Sequence, residues 1–130
     1  MNPFGNDILA GFQISNLFLP AARAATANGT GVDCKDCEGP LTAIAQFGLW
    51  TDGTYLVSLE ESADNSTFTA ITPYEGAFVA VSSAATASLV QTVQFKRTKR
   101  YVRGVITETS AGSTGVLFNF LLLGRKKNVG

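Results

Sequence analysis

The chain has 130 residues, a length that suits one domain able to bury a core without the help of a disulfide or a metal. Hydrophobic residues make up 45% of it, which excludes disorder as its main state. Charged residues make up only 15%, below the roughly 25% that is usual in soluble domains. Much of the surface must therefore consist of small or uncharged polar residues, as in many proteins that pack against neighbours.

The formal net charge is zero, but the charges are unevenly distributed along the chain. Residues 1–75 contain nine acidic and two basic residues, whereas residues 76–130 contain eight basic residues and one acidic residue. Two explanations stay open. Strands from the two halves can pair and neutralise each other within one molecule. Alternatively, the basic face of one subunit can meet the acidic face of a neighbour in head-to-tail association.

The beginning of the chain lacks the basic region of a secretory signal peptide, so we expect a protein that is made and used without secretion. No run of about 18 apolar residues is present, so we predict no membrane contact. Residues 1–15 are predicted to be an arm or a first strand, and residues 16–130 a single β-sandwich domain. Because large apolar side chains are costly to leave in water, we expect residues 1–15 to dock through Phe4, Ile8, Leu9 and Phe12.

The next segments have the pattern of short strands separated by turns. Pro20 makes residues 16–26 an edge strand or a bend, because proline cannot donate to a sheet ladder. Residues 41–50 form a mostly apolar strand, and the Asp52–Gly53 turn signal predicts a hairpin to the strand over residues 54–61. Partial alternation of apolar and polar residues indicates that this second strand is half buried.

Five further strands are predicted, at residues 68–71, 77–81, 89–95, 101–107 and 116–123. Residues 82–88 are predicted to be a loop. The apolar run 117–123 is predicted to be a central strand buried on both faces, with a short buried helix as the alternative. About eight strands with frequent turn signals and no long helical period predict an all-β fold, an antiparallel β-sandwich or jelly roll.

The chain contains no histidine, which excludes serine–histidine and cysteine–histidine nucleophiles and histidine-ligated metals. Cys34 and Cys37 form a CxxC motif, which can be a redox pair or half of a zinc site. One chain supplies only two of the four ligands that a structural zinc needs, which leaves a zinc shared across a dimer as an alternative. We predict that both cysteines lie in a surface turn, reduced or paired with each other. We predict no catalytic residue, no metal and no cofactor.

The densest group of charges is basic and comprises Lys96, Arg97, Lys99, Arg100 and Arg103. Such a group is typical of nucleic-acid binding. The acidic first half and the pI near 6.2 argue against it, because a dedicated nucleic-acid binder usually carries a basic domain. We therefore predict no nucleic-acid partner. The alternatives are a protein partner with an acidic surface and a plain solvated turn.

Five segments occur in an order that resembles a known family: residues 26–33, 38–41, 59–68, 99–103 and 122–127. The order and spacing are similar to those of small structural proteins from the head gene clusters of tailed phages and prophages. These proteins look like capsid decoration, or cement, proteins with a β-sandwich or jelly-roll fold. Cys34 and Cys37 depart from the resemblance, which places ordinary apolar and polar residues there.

The resemblance implies a non-enzymatic virion protein on the outer capsid surface, assembled in the host cytoplasm. Its partner would be the lattice of the major capsid protein, and it would form a homo-oligomer, a dimer or a trimer. The candidate contact residues would be the apolar side chains of residues 1–15 and the basic group, namely Phe4, Ile8, Leu9, Phe12, Lys96, Arg97, Lys99, Arg100 and Arg103.

A weaker likeness leads to an alternative function. The acidic turn before Phe68 and the Arg100–Arg103 segment are similar to parts of carbohydrate-binding jelly rolls of the discoidin type. Similar folds carry unrelated functions, so this likeness implies a fold more than an activity. The alternative is a carbohydrate-binding module on a virion or cell surface, with its aromatic contacts drawn from Trp50, Tyr55, Tyr74 and Tyr101.

Overall fold

Two antiparallel β-sheets face each other across an apolar core in the computed structural model, which describes residues 11–72, 74–110 and 113–126. The described strands are β1 (Phe12–Arg23), β2 (Ala27–Asn28), β3 (Val32–Asp33), β4 (Cys37–Trp50), β5 (Thr54–Ser62), β6 (Thr69–Ala70), β7 (Val90–Phe95), β8 (Tyr101–Ser110) and β9 (Val116–Lys126). One short helix, α1 (Ala84–Ala87), lies between β6 and β7. The all-β prediction is confirmed.

The four-stranded sheet has the order β1-β9-β4-β7, and the five-stranded sheet has the order β2-β8-β5-β6 with β3 also paired to β8. Because β2 and β3 both pair with β8, they are two parts of one interrupted edge strand. Nearly every connection then carries the chain from one sheet to the other, which is the winding of a jelly roll. Strands that are neighbours in sequence are therefore rarely neighbours in a sheet.

Alternation along the strands decides which side chains enter the core. Tyr55, Val57 and Leu59 of β5 are buried, as the sequence pattern predicted. The opposite wall is aromatic: the ring of Phe118 lies 5.3 Å from that of Phe18 and 4.9 Å from that of Phe47, centroid to centroid. Burying each such ring stabilises the fold by about 1.5–3 kcal/mol.

The predicted hairpin at Asp52–Gly53 is wrong. The turn is present, with Gly53 at a φ of 88°, but it carries the chain from β4 in one sheet to β5 in the other. The Asp52 carboxylate accepts hydrogen bonds from the backbone N–H groups of Ser113, Thr114 and Gly115. These bonds tie the turn to the segment before β9 and lower the pKa of Asp52 to about 2.

The strand predicted at residues 77–81 does not form, so that prediction is wrong. The predicted loop at residues 82–88 contains the helix α1. Val81 makes only an isolated bridge, in which its N–H donates to the carbonyl of Tyr55 at 2.7 Å. The helix forms because Ser83 caps it: its hydroxyl accepts a bond from the N–H of Thr86, and the Thr86 hydroxyl accepts one from the N–H of Ser83. Four residues give no helical periodicity for a sequence pattern to detect.

Two predictions about sheet position have different outcomes. β1 is an edge strand, and Pro20 falls within a register shift of its pairing with β9, so the edge-strand interpretation is confirmed. β9 is central, but the prediction that it is buried on both faces is wrong, because Leu117 on its outer side is 47% exposed. A two-layer sandwich covers only one face of each sheet.

Candidate binding surfaces

Arg100 and Asp33 form a bidentate ion pair at the start of β8. The Arg100 Nε and Nη2 groups donate to the two Asp33 carboxylate oxygens at 2.9 and 2.7 Å. β3 and β8 place the two residues side by side, because Asp33 is paired with Tyr101. The Arg100 guanidinium holds the pKa of Asp33 at about 2, well below its usual range. This basic residue therefore has an acidic partner within the molecule.

Arg103 and Glu60 form a second ion pair on the outer face of the five-stranded sheet. They lie directly opposite each other on β8 and β5, and Arg103 Nη2 is 2.6 Å from Glu60 Oε1. The Arg103 guanidinium also lies over the Phe68 ring, 4.1 Å from its centroid. Of the two explanations for the uneven charge, these contacts match the first, pairing between the two halves of one molecule.

Glu61 is a buried carboxylate that fixes the turn between β7 and β8. It accepts hydrogen bonds from the N–H of Thr98 at 2.7 Å, from the Thr98 hydroxyl at 2.9 Å and from the N–H of Lys99 at 3.1 Å. Adjacent residues on a strand face opposite sides, so Glu60 pairs on the outer face while Glu61 points the other way.

The remaining basic candidates have different surroundings. The Arg97 guanidinium donates to the backbone carbonyls of Lys99 and Cys37, at 3.1 and 3.0 Å. The Lys99 ammonium donates to the Thr69 hydroxyl at 3.0 Å. Lys96 is exposed and lines a pocket. Four of the five predicted contact residues thus hold the fold together, and Lys96 alone of that group makes no polar side-chain contact with the described residues.

Cys34 and Cys37 are free thiols, but the predicted surface turn is wrong because both are buried. The turn between β3 and β4 brings them close, with the N–H of Cys37 donating to the carbonyl of Cys34 at 3.0 Å. Burial raises the pKa of the Cys34 thiol to about 12, and the neighbouring Cys37 adds to this shift. Gly124 leaves the space for Cys37, because a Cβ there would lie 2.7 Å from its sulfur.

Three adjoining cross-strand rows on the outer face of the four-stranded sheet contrast with these ion pairs, because they contain no charged side chain; the row beside them contains Phe12, Arg125 and Glu38. One row comprises Ile14, Leu123, Thr42 and Gln94; the next, Asn16, Leu121, Ile44 and Thr92; the third, Asn119, Gln46 and Val90. Ile14 is 50% and Val90 58% exposed. We call the surface formed by these three rows the uncharged face. Sequence reasoning missed it, although the run 117–123, which is apolar at every position except Asn119, was its signal.

One end of the uncharged face opens into a groove of about 310 Å³, which we call the β9 groove. The pairing of β9 with β1 shifts register between Phe18 and Ala21, and its pairing with β4 shifts between Phe47 and Trp50. The two irregularities lie on either side of the start of β9 and leave a gap there. The groove is lined by Pro20, Ala21, Gln46, Phe47, Gly48, Leu117, Phe118 and Asn119.

The four aromatic residues named for glycan binding do not gather in one groove. Tyr55 is buried, Trp50 is half-buried with its indole N–H donating to a backbone carbonyl at 2.9 Å, and Tyr101 is half-buried. Tyr74 lines a pocket of about 350 Å³, together with Pro40, Thr72, Glu75, Gln94, Phe95, Lys96 and Thr98.

Phe12 is half-buried in β1, whereas the other apolar candidates, Phe4, Ile8 and Leu9, lie outside the described residues. Over the described ranges 11–72, 74–110 and 113–126, no three His, Cys, Asp or Glu side chains are grouped to hold a metal. No helix in this part of the chain is long and apolar enough to cross a membrane. Comparison with protein-family models, curated proteins and solved structures gives no match to this chain.

Proposed function

We propose that the protein is a capsid decoration subunit, which binds the lattice of a major capsid protein on the outer surface of a virion and stabilises the head. The five sequence segments whose order and spacing resemble those of cement proteins support this function, as does the jelly-roll sandwich. The observation that carries the proposal is the uncharged face, a sheet surface with exposed Ile14 and Val90 and no charged side chain in its rows.

The uncharged face supplies the physical basis of docking. Burial of its aliphatic side chains against the lattice releases water at no cost in charge desolvation. Four strands about 4.8 Å apart give a face roughly 20 Å wide. Its three rows, two residues apart, extend roughly 20 Å along the strands, so the face covers about 400 Å², half of the roughly 800 Å² per partner of a standard stable interface. Single docking events are therefore weak, and subunits joined as a dimer or trimer gain avidity on a repeating lattice.

Shell binding stabilises the head by mass action, because the subunit binds only the assembled lattice. In this proposal the ion-paired basic residues support the sandwich, while the lattice is contacted by the uncharged face. Lys96, which is exposed, and the apolar residues of 1–10 remain additional contact candidates.

The proposal is tested with purified protein and shells that lack it. We expect the protein to sediment with the shells, to saturate at a fixed ratio to the lattice, and to raise the temperature at which the shells rupture. Added salt should have little effect on binding, since no charge is buried. Protein that stays in the supernatant and leaves the rupture temperature unchanged at low and high salt would refute the proposal.

A second candidate function is carbohydrate binding at the pocket that contains Tyr74. An aromatic ring, the acid Glu75, the amide Gln94 and the amine Lys96 line one concavity, which is a typical set of sugar contacts. A glycan array distinguishes the two functions. Specific hits that are lost in a Gln94→Ala variant would favour the second candidate, and an array without hits would eliminate it.

A further inference from the structure

The β9 groove has the chemistry of a site for aliphatic side chains. Its lining includes the core residues Phe47 and Phe118, which are 7% and 2% exposed and whose rings stack with an interplanar angle of 27°. Gly48 keeps the groove open, because a Cβ at that position would lie 3.1 Å from the Cβ of Leu117. None of the lining residues is charged, so the groove favours an occupant without charge at the point of contact.

The rim of the groove adds polar groups suited to a peptide backbone. Gln46 and Asn119 lie opposite each other on β4 and β9, and both line the groove. Neither amide side chain has a hydrogen-bond partner among the described residues. An amide offers both donors and an acceptor, so the pair can satisfy the N–H and C=O groups of an extended segment that lies across the groove.

The chain itself contains a segment with matching side chains. Residues 1–10 include Phe4 and the aliphatic pair Ile8–Leu9, with a single acidic residue, Asp7. These apolar side chains are costly to leave in water. Leucine and isoleucine are also uncharged, as the lining of the groove requires. The segment is therefore a candidate occupant that needs no additional protein.

The distance between Gly11 and the groove decides whether the segment comes from the same copy of the chain or from another. The groove contacts β1 at Pro20 and Ala21, roughly 30 Å along the strand from Gly11 at about 3.3 Å per residue. Ile8 can extend no more than about 11 Å from Gly11. The Ile8–Leu9 pair therefore cannot reach the groove of its own molecule.

We propose that the β9 groove receives the Ile8–Leu9 region of a second copy of this chain. Two copies that exchange these segments form a closed, symmetric dimer, which is the commonest form of homo-oligomer. This inference goes beyond the capsid proposal, because self-association through the groove does not depend on what covers the rest of the uncharged face.

A complementation experiment with full-length chains tests the exchange. One variant, Ile8→Ser with Leu9→Ser, loses the inserted side chains but keeps the groove. The other, Leu117→Asn, alters the groove but keeps the segment; Leu117 is 47% exposed, so the fold tolerates the change. A control variant, Leu89→Asn, changes a leucine that is 51% exposed and lies outside the groove.

Sedimentation velocity gives the readout, with thermal unfolding as a check that each variant is folded. We expect the unmodified chain and Leu89→Asn to dimerise equally, and each of the two test variants to dimerise at least tenfold more weakly. An equimolar mixture of the two test variants should form a heterodimer through its one intact contact. A monomeric unmodified chain, test variants that dimerise like the control, or a mixture that does not associate would each overturn the proposal.

Shell binding separates this proposal from the capsid function. Variants that are monomeric but still bind shells through the uncharged face would support the exchange and leave the capsid proposal intact. Variants that remain dimeric but no longer bind shells would overturn the exchange and assign residues 8 and 9 to the lattice contact.

Discussion

The outer faces of the two sheets are both built from antiparallel strands, but the cross-strand pairs at their centres differ. On the five-stranded sheet, Glu60 and Arg103 face each other across β5 and β8 and form an ion pair. On the four-stranded sheet, the corresponding cross-strand positions are occupied by pairs such as Leu121 and Ile44. Charged groups satisfied within the molecule have little left to offer a partner, whereas exposed aliphatic groups gain by being covered.

Ion pairs between the two halves of the chain account for part of the uneven charge along the sequence. The acidic half and the basic half of the chain form ion pairs on the five-stranded sheet, where Asp33 pairs with Arg100 and Glu60 with Arg103. On the other side, the three rows of the uncharged face carry no charge, and Glu38 lies opposite Arg125 in the row beside them. Opposite charges from the two halves of the chain are therefore paired within the folded molecule. The proposed lattice contact is the uncharged face.

The largest effect is expected from Glu61 at the end of β5. Glu61→Ala should lower the free energy of unfolding by about 3 kcal/mol, because hydrogen bonds to a charged group are strong and the N–H groups of Thr98 and Lys99 lose their partner. Urea unfolding measures the change. Glu61→Gln, which keeps one acceptor, should recover part of the loss; an unaltered midpoint for Glu61→Ala would show that this carboxylate is not structural.

The second largest loss of stability is expected at acidic pH. Asp33, Asp52 and Asp64 each have a pKa lowered from 3.8 to about 2 in the folded chain, through Arg100, the 113–115 backbone and the Thr67 N–H respectively. A carboxyl whose folded pKa is depressed adds stability above pH 4 that is lost as the pH falls toward 2. Melting temperatures measured between pH 6 and pH 2 should fall over that window, and Asp52→Asn should flatten the fall. A profile that Asp52→Asn leaves unchanged would contradict the assigned bonds.

A smaller effect is expected from the ion pair on the five-stranded sheet. Arg103→Ala should cost about 1 kcal/mol of unfolding free energy, since the pair is only partly buried. The double variant with Glu60→Ala should cost little more than Arg103→Ala alone, because the carboxylate has then already lost its partner. Fully additive losses in urea unfolding would indicate that the residues act separately.

The smallest effects on stability are expected from exposed aliphatic residues on the two outer faces. Ile14, on the uncharged face, and Leu56, on β5, are 50% and 40% exposed. Ile14→Asp and Leu56→Asp should each change the unfolding free energy by no more than about 0.5 kcal/mol, because surface substitutions away from special contacts are nearly neutral. A large loss for either variant in urea unfolding would show that its side chain supports the core.

Local patterns in the sequence located most of the longer strands but not their partners in the sheets. Alternation placed Tyr55, Val57 and Leu59 inside because a strand repeats every two residues. The Asp52–Gly53 signal located a turn correctly but not its role, because the choice between a hairpin and a crossing between sheets depends on contacts with the distant 113–115 segment. The short helix at 84–87 depends on one capping pair, Ser83 and Thr86.

The candidate site was less accessible to sequence reasoning than the fold. The basic residues were conspicuous in the sequence, yet four of them have partners within the molecule that only the folded chain brings near. The uncharged face could have been inferred from residues 117–123, since a sandwich strand that is apolar on both sides must expose one of them. The β9 groove could not, because it arises from two register shifts and the missing side chain of Gly48.

The central claim is that the uncharged face, and not the ion-paired face, binds the lattice. The most direct test is the affinity of Ile14→Asp and Leu56→Asp for shells that lack the protein, measured by co-sedimentation of two variants of matched exposure and stability. We predict that Ile14→Asp binds at least tenfold more weakly than the unmodified chain, while Leu56→Asp binds as well as it does. Equal affinities for the two variants, or a loss confined to Leu56→Asp, would contradict the account.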